Sequence, residues 1–434
     1  MNKRKHLFWR VVLFAALLAL AAWILLPGHT PAPALQPDTR TAEIPADNSR
    51  IARGAYLARM GNCALCHTAR GGESYAGGRN FDTPFGTIFS SNITPDRAHG
   101  IGSWTAEDFW RALHLGESRE GRWLTPAFPY TNFTHITRSD SDDLYAYLRS
   151  IPSSLNPNTA HTLRWPYNTQ FALGVWRTLF FTPGKEQRVA STPSPATPLQ
   201  RGAYLVEGLG HCSACHTERN VLGAIDSGNT LSGGMLPSQD WYAPSLRNAK
   251  ETSLHSWSEA ELRALLQTGT SARGNAMGPM AEVVLHSTQY LTDADAQAMG
   301  TYLKSLPAVS AAAPAEQKRS APDTLGMGAR LYDKHCAECH GAQGEGRAGV
   351  YPALAQNPTV NAADLNNLVR IVWQGGFAPA TTANPRPYGM PPFLLQFNDQ
   401  ELAALLSYVR SAWGNGAGPV SEFDINKLRT RPAP

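Results

Sequence analysis

The chain has 434 residues, a formal net charge of +4, and charged side chains at 17% of its positions. This length is too great for one hydrophobic core and fits about three domains of roughly 100–150 residues. The weak net charge, with no basic block beyond the N-terminus, gives nucleic-acid binding no support. The 32 prolines and 37 glycines indicate loop-rich domains.

The N-terminus has the pattern of an export signal. Basic side chains at Lys3, Arg4, Lys5 and Arg10 precede an apolar run at residues 11–26. Counted back through residue 7, the run is long enough to span a bilayer of ~30 Å, and no small-residue cleavage site adjoins it. We expect residues 1–34 to be a signal or membrane anchor, and we favour a retained anchor. The positive-inside rule then places residues 35–434, beginning with a Pro-rich stem at 35–48, beyond the membrane.

The pattern Cys-x-x-Cys-His occurs three times and uses all six cysteines. The copies are Cys63, Cys66 and His67; Cys212, Cys215 and His216; and Cys336, Cys339 and His340. The pattern is typical of c-type haem attachment, in which two thiols bond one porphyrin and the histidine becomes the proximal iron ligand. A zinc site needs four protein ligands, and a thioredoxin-like site would not repeat. The sequence therefore predicts three covalently bound haem c groups, which are attached outside the cytoplasm.

Whole domains repeat around the motifs. The string RGAYLA at residues 53–58 recurs as RGAYLV at 201–206 and, in degenerate form, as GARLY at 328–332. Each domain also ends in a helical pattern that acidic residues Asp140, Asp293 and Asp399 are expected to cap. A first helix that delivers the motif and a last helix that crosses it resemble the small class I cytochromes c.

The predicted fold is therefore mainly α: three tandem class I cytochrome c-like haem domains after an N-terminal membrane or signal helix. The predicted boundaries are 49–157, 199–309 and 323–416 for the domains, with 158–198 and 310–322 as linkers and 417–434 as a tail. The first linker concentrates the aromatic residues Trp165, Phe171, Trp176, Phe180 and Phe181. We favour an ordered strap packed across two domains over a docking or membrane-surface patch, since these residues share no helical period.

The second iron ligand separates electron carriers from catalysts, because thioether ligation closes the iron and raises its potential. Met390 lies in the proline-stiffened loop YGMPPF before the last helix, and is the predicted ligand of the third haem. Met280 in GPM holds the equivalent place in the second domain and is preferred to the nearby Met277.

The first domain lacks this methionine. Phe128 stands about where a methionine would fall, and phenylalanine cannot bind iron. Either another group completes the site or the iron is five-coordinate. His135, which follows the loop, is the better candidate, whereas His114 is expected to be a surface histidine.

A backbone carbonyl is expected to hold each proximal histidine. The loops at residues 83–86, 241–244 and 351–354 are suitably placed by their order in the chain.

Several strings resemble the triple-haem cytochrome c subunits of membrane-bound bacterial alcohol, gluconate, sorbitol and aldehyde dehydrogenases. They are TPFGTIFSSNITPD at 83–96, GSWTAEDF at 102–109, RGAYLVEGLGHC at 201–212 and YGMPPF at 388–393. The resemblance covers residues 50–416. It implies a subunit that accepts electrons from a catalytic partner carrying a quinone, flavin or molybdenum cofactor. It also implies ubiquinone or a terminal oxidase as the acceptor, at the periplasmic face of the inner membrane.

Two functions compete at this point. In the first, the chain is an electron-transfer subunit of a respiratory dehydrogenase complex with no catalytic site of its own. In the second, it is a haem enzyme whose open first haem reduces peroxide or another small oxidant. We favour the relay because the loop around Phe128 is apolar, whereas peroxide chemistry needs a polar distal pocket.

Overall fold

The structure is a computed structural model, and it describes residues 9, 11–13, 15, 47–185, 197–236, 239–248, 251–252, 254–309 and 321–430. The predicted signal or anchor, the stem and the second linker lie almost entirely outside these residues. Across the described ranges, none of the helices has the length and apolar character that a bilayer crossing requires.

The first domain is built from short helices around a small sheet. Its elements, with those of the strap that follows, are α1 (Asn48–Met60), α2 (Cys63–His67), β1 (Asn80–Thr83), β2 (Gly86–Phe89), α3 (Ala106–Leu115), α4 (Tyr130–Phe133), α5 (Arg138–Ser150), β3 (Thr162–Leu163) and α6 (Gln170–Phe180). The three strands form one antiparallel sheet in the order β1-β2-β3.

The second and third domains repeat the helical part of this plan. The second has α7 (Pro198–Ala203), a π-helical turn (Tyr204–Leu209), α8 (Ser213–His216), β4 (Gly234–Met235), β5 (Tyr242–Ala243), α9 (Glu259–Thr268), β6 (Thr270–Ser271), β7 (Gly274–Asn275), α10 (Pro279–His286) and α11 (Asp293–Ser305). The third has α12 (Pro322–His335), α13 (Ala337–His340), α14 (Pro358–Asn361), α15 (Asn366–Gln374), β8 (Gly376–Phe377), β9 (Gly389–Met390), α16 (Asp399–Ser411) and α17 (Glu422–Arg429). Single-turn 3-10 helices complete the second domain.

In each domain the first helix crosses the last helix at a glycine. A Cβ atom at Gly54, Gly202 or Gly328 would collide with a backbone carbonyl of the last helix. The crossing places Gly54 against Asp143, Gly202 against Ala298 and Gly328 against Ala404. Glycine is therefore required at these points of close approach, and the three crossings put the repeats in register.

The acidic residues expected to cap the last helices are not the caps. Thr137, Thr292 and Asn398 occupy the N-cap positions, and each accepts a backbone N–H three residues on. Asp140 instead lies inside the first turn of α5, where it is buried. A short side chain at the N-cap reaches the free N–H groups, and this leaves Asp140 available for other contacts.

The described part of the aromatic linker, residues 158–185, forms a strap across the first domain. Strand β3 extends the β1–β2 hairpin, and the Gln170 side chain bonds the backbone of Trp123 in both directions. At the far side, Trp176 Nε1 donates to the Leu222 carbonyl of the second domain at 2.9 Å. The strap therefore joins the first two domains, although Trp165 remains 81% exposed.

The described residues form two hydrophobic cores of unequal extent. One continuous core runs from Leu57 and Leu144 in the first domain to Leu205 and Leu303 in the second. The other core belongs to the third domain alone. It includes Ile425 of α17, so the third domain continues beyond the predicted boundary at residue 416.

Candidate cofactor sites

Each Cys-x-x-Cys-His motif forms a single helical turn at the end of its domain's first helical segment. The motifs coincide with α2, α8 and α13, and all six cysteines are unbridged, partly buried thiols. Burial raises the pKa of Cys63 and Cys212 to about 12, so these thiols are neutral at pH 7. A one-turn helix brings two cysteines three positions apart to the same side, as attachment to one porphyrin edge requires.

A backbone carbonyl holds each motif histidine through Nδ1. The distances from Nδ1 are 2.6 Å to the Ser91 oxygen for His67, 2.7 Å to the Pro244 oxygen for His216, and 2.9 Å to the Pro352 oxygen for His340. The second and third carbonyls lie in the predicted loops. The prediction for the first is wrong, because residues 83–86 form the turn of the β1–β2 hairpin and the chain reaches the histidine only at Ser91.

These contacts fix the tautomer of the three histidines. A carbonyl can only accept, so Nδ1 carries the proton and Nε2 keeps its lone pair for a metal. Burial lowers the pKa of His67, His216 and His340, which keeps each imidazole neutral. Three neutral imidazoles with free Nε2 atoms suit haem iron.

The first motif opens into a large apolar cavity of about 2450 Å³. One part of this cavity is lined by Cys63, Cys66 and His67, and another part by the loop around Phe128. Residues of the strap also line the cavity. The lining extends to Cys215 of the second motif. Ordinary small-ligand pockets measure about 300–1,000 Å³. The cavity, the paired thiols and the imidazole together fit a covalently attached haem.

Each of the two predicted methionine ligands precedes the last helix of its domain, but they lie in different elements. Met280 is the second residue of α10, after the N-cap Gly278 and Pro279, whereas Met390 in β9 is partly buried and packs against the core of the third domain. Met277 points elsewhere: a Cβ atom at Gly376 of the third domain would lie 3.1 Å from its methyl carbon. Met280 and Met390 remain the predicted ligands.

Hydrogen bonds place Phe128 in register with Met280. Helices α3 and α9 both have ten residues and end at a left-handed glycine, Gly116 or Gly269. Leu124 N–H donates to the Gly116 carbonyl, and Ala276 N–H donates to the Gly269 carbonyl. Phe128 and Met280 each follow four residues later.

Neither histidine considered for the first site lines the cavity. His135 is exposed and lies beside Gly208 of the second domain, so it is not placed to act as the ligand. His114 is buried and stacks on Trp110 with ring centroids 4.4 Å apart, so the expectation of a surface histidine is wrong. Position along the chain gave no information about side-chain direction in either case.

Sequence reasoning missed a pair of crossed contacts between the first two domains. Tyr56 donates to Asp295 at 2.5 Å, and Tyr204 donates to Asp140. Each aspartate also forms an ion pair with an arginine of its own domain. In the second domain this ion pair joins Arg201 and Asp295 at 2.8 Å. The available signal was the tyrosine shared by the first two RGAY strings, which the third domain replaces with Arg330.

Comparison with known proteins gives the same family for three stretches of the chain. The cytochrome c family matches residues 51–152, 199–307 and 327–413.

Similar full-length relatives are cytochrome subunits of dehydrogenases. The cytochrome c subunit of alcohol dehydrogenase (quinone) from Gluconacetobacter polyoxogenes is 39% identical over 419 residues, covering 91% of this chain and 88% of that protein. The gluconate 2-dehydrogenase cytochrome c subunit of Pantoea cypripedii is 37% identical, with 89% and 91% covered. The fructose dehydrogenase cytochrome subunit of Gluconobacter japonicus is 36% identical, with 95% and 88% covered.

Proposed function

The chain belongs to the cytochrome c family, and on that premise we propose that it is the three-haem electron-transfer subunit of a dehydrogenase complex. Oxidation of the organic substrate would occur in a partner subunit with a quinone, flavin or molybdenum cofactor. Ubiquinone or a terminal oxidase would take the electrons. The site would be the periplasmic face of the inner membrane, with residues 1–34 as anchor or signal.

The observation that carries the proposal is the threefold imidazole arrangement. His67, His216 and His340 each give Nδ1 to a carbonyl and keep Nε2 for iron. Haem c, when bound, supplies one-electron oxidation and reduction at its iron. The chain's own part is to attach the group through two thiols, hold the imidazole in place, and present Met280 and Met390 as second ligands.

The arrangement of the first two motifs supports a relay within the chain. His211, next to Cys212, places Nε2 3.3 Å from the carbonyl of Gly61, which lies two residues before Cys63. The two attachment segments are therefore neighbours. Towards the third domain, Tyr242 forms two hydrogen bonds with the Asn367 side chain. The second domain thus contacts both of the others.

The rival function as a peroxide-reducing enzyme has weaker support. Cleavage of an O–O bond is favoured by polar groups near the iron. Phe128 instead packs with Phe133 at 5.4 Å between ring centroids, against a core that includes Leu113 and Ile136. These side chains offer no proton donor.

The test uses the holoprotein purified from its own host's membranes. We expect a pyridine haemochrome content of three per chain and a co-purified dehydrogenase. Addition of that enzyme's substrate, chosen from a panel of alcohols, sugars, gluconate and nicotinate, should reduce the haems, and a soluble ubiquinone analogue should reoxidise them. Fewer than three haems, or peroxide turnover faster than quinone reduction, would overturn the proposal.

A further inference from the structure

We propose that no residue within the described ranges supplies a second iron ligand at the first haem besides His67, and that the first pocket binds a small uncharged diatomic molecule, such as carbon monoxide, at the ferrous iron. The proposal rests on the haem content proposed above and is independent of the partner and the acceptor. Its starting point is the register that puts Phe128 at the position of Met280. A phenyl ring has no lone pair to donate to iron.

The other imidazoles that line the cavity are committed elsewhere. His161 Nδ1 accepts the Phe89 N–H at 3.2 Å, and burial lowers the pKa of His161, so its Nε2 carries the proton of the neutral ring. His211 Nε2 donates to Gly61. His99 lies on the loop that follows Ser91, the residue whose carbonyl oxygen holds His67. The Nδ1 atom of His99 is 3.2 Å from the Asp96 carboxylate.

Met235, Tyr242 and Tyr167 in the lining also have contacts of their own. The Met235 sulfur accepts a hydrogen bond from the Asn366 side chain of the third domain at 3.3 Å. Tyr242 donates to Glu251, and Tyr167 packs on Phe85 with centroids 4.6 Å apart. None of these described side chains is placed to replace the missing methionine.

Groups just outside the lining do not turn into the pocket either. His135 is exposed at the boundary with the second domain, and His114 stacks on Trp110. The Tyr130 ring, in the turn after Phe128, packs edge-on against Phe181 of the strap at 4.9 Å.

The wall around Phe128 decides the class of ligand. Phe109, Leu113, Phe133 and Ile136 are each less than a tenth exposed, and all line the cavity. An apolar wall favours a neutral molecule over an anion, because a charge would lose its hydration without gaining a partner. A diatomic π-acceptor needs no hydrogen-bond donor to bind ferrous haem.

The decisive experiment is an anaerobic titration of the dithionite-reduced, full-length holoprotein with carbon monoxide, followed in the Soret band. We expect one of the three haems to bind. Phe128→Met should reduce this number from one to zero, because a thioether then occupies the site. Phe423→Met makes the same change at a 73% exposed position of α17 and is the matched control. In this variant one haem should still bind carbon monoxide.

If the Phe128→Met variant does not fold with its haem groups attached, Met280→Ala provides a second test of the proposal. It should raise the number of carbon monoxide-binding haems from one to two. No binding in the wild type, persistence of binding in Phe128→Met, or a value that stays at one in Met280→Ala would each overturn the proposal. A haemochrome content below three would instead count against the proposed function.

Discussion

The first two domains are built as a pair, whereas the third domain is built as a separate unit. The pair shares one hydrophobic core, and its domains exchange tyrosine–aspartate hydrogen bonds in both directions. The third domain encloses its own core. The same repeat thus gives two kinds of association, and the comparison shows which side chains decide between them.

The decisive positions follow from the glycine register of the crossing helices. Tyr56 and Tyr204 lie two residues after the crossing glycine, and the third domain has Arg330 there. The acidic partners are Asp140 and Asp295, three residues before the contacted carbonyl. Their third-domain equivalent, Glu401, serves in the capping box of α16 instead. The third repeat therefore lacks both halves of the crossed contact.

The largest effect is expected from removing one pair of attachment thiols. Replacing Cys336 and Cys339 by serine should leave a chain with two haems and a protease-resistant first half, since the third core is separate. Replacing Cys212 and Cys215 should destabilise the first domain too, because the core is shared. Haem content per chain and limited proteolysis measure these two effects. If the two variants lost the protease resistance of the first domain to the same extent, the paired architecture would be refuted.

Removal of a shared carboxylate should have the next largest effect. Asp295→Asn removes the negative charge opposite the Arg201 guanidinium and replaces one of the two acceptor oxygens that Arg201 and Tyr56 share with an NH2 donor. Breaking a buried ion pair costs ~3–5 kcal/mol, and we expect about 2–3 here because the Arg201 side chain is 30% exposed. The free energy of unfolding from denaturant titration gives the value.

The matched control is Glu401→Gln in the third domain. Glutamine can still close the capping box, so the cost should stay below about 0.5 kcal/mol. Equal costs for Asp295→Asn and Glu401→Gln would show that the crossed contact adds no stability.

The pH dependence of the pair provides a finer test. Burial, together with the hydrogen bond to Asp295, raises the pKa of Tyr56 to about 12 from its ordinary value of 10. The folded protein therefore binds this proton more tightly, so the stabilisation is complete below pH 10 and is lost as pH rises through about 12. Tyr56→Phe should lower the free energy of unfolding by roughly 1.5–3 kcal/mol at pH 8, and by less at higher pH.

Tyr388→Phe is the control for that experiment. Tyr388 is 62% exposed in the third domain, so the change should alter the free energy of unfolding at pH 8 by less than about 0.5 kcal/mol. A difference between Tyr56→Phe and wild type that does not shrink above pH 10 would argue against the assigned pKa.

Local sequence was sufficient for features that depend on neighbouring residues. The three motifs, the crossing helices and the loops that contain the carbonyls of Pro244 and Pro352 follow from spacing and turn-forming residues, whereas the structure identifies the bonding atoms. Ser91 did not follow in this way, because a hairpin inserted between motif and carbonyl shifts the contact. The bond between Tyr56 and Asp295 joins residues 239 positions apart, and periodicity carries no information on that scale.

The smallest effect concerns the docking of the third domain. The Asn367 side chain accepts the Tyr242 N–H at 2.9 Å and donates to the Tyr242 carbonyl at 2.7 Å, as another strand would. Arg370 adds an ion pair with Asp240 at 3.7 Å and lies over the Trp241 ring. Asn367→Ala should therefore weaken docking by only about 1–2 kcal/mol, because these contacts remain.

Hydrogen exchange isolates this local change. The Tyr242 amide loses its acceptor in Asn367→Ala and should exchange faster, while amides within the two cores keep their protection. Asn426→Ala, on the exposed face of α17, should change neither. If Asn367→Ala also accelerated exchange in the core of the pair, the third domain would be contributing to the stability of the first two, and the division into a pair and a separate unit would be wrong.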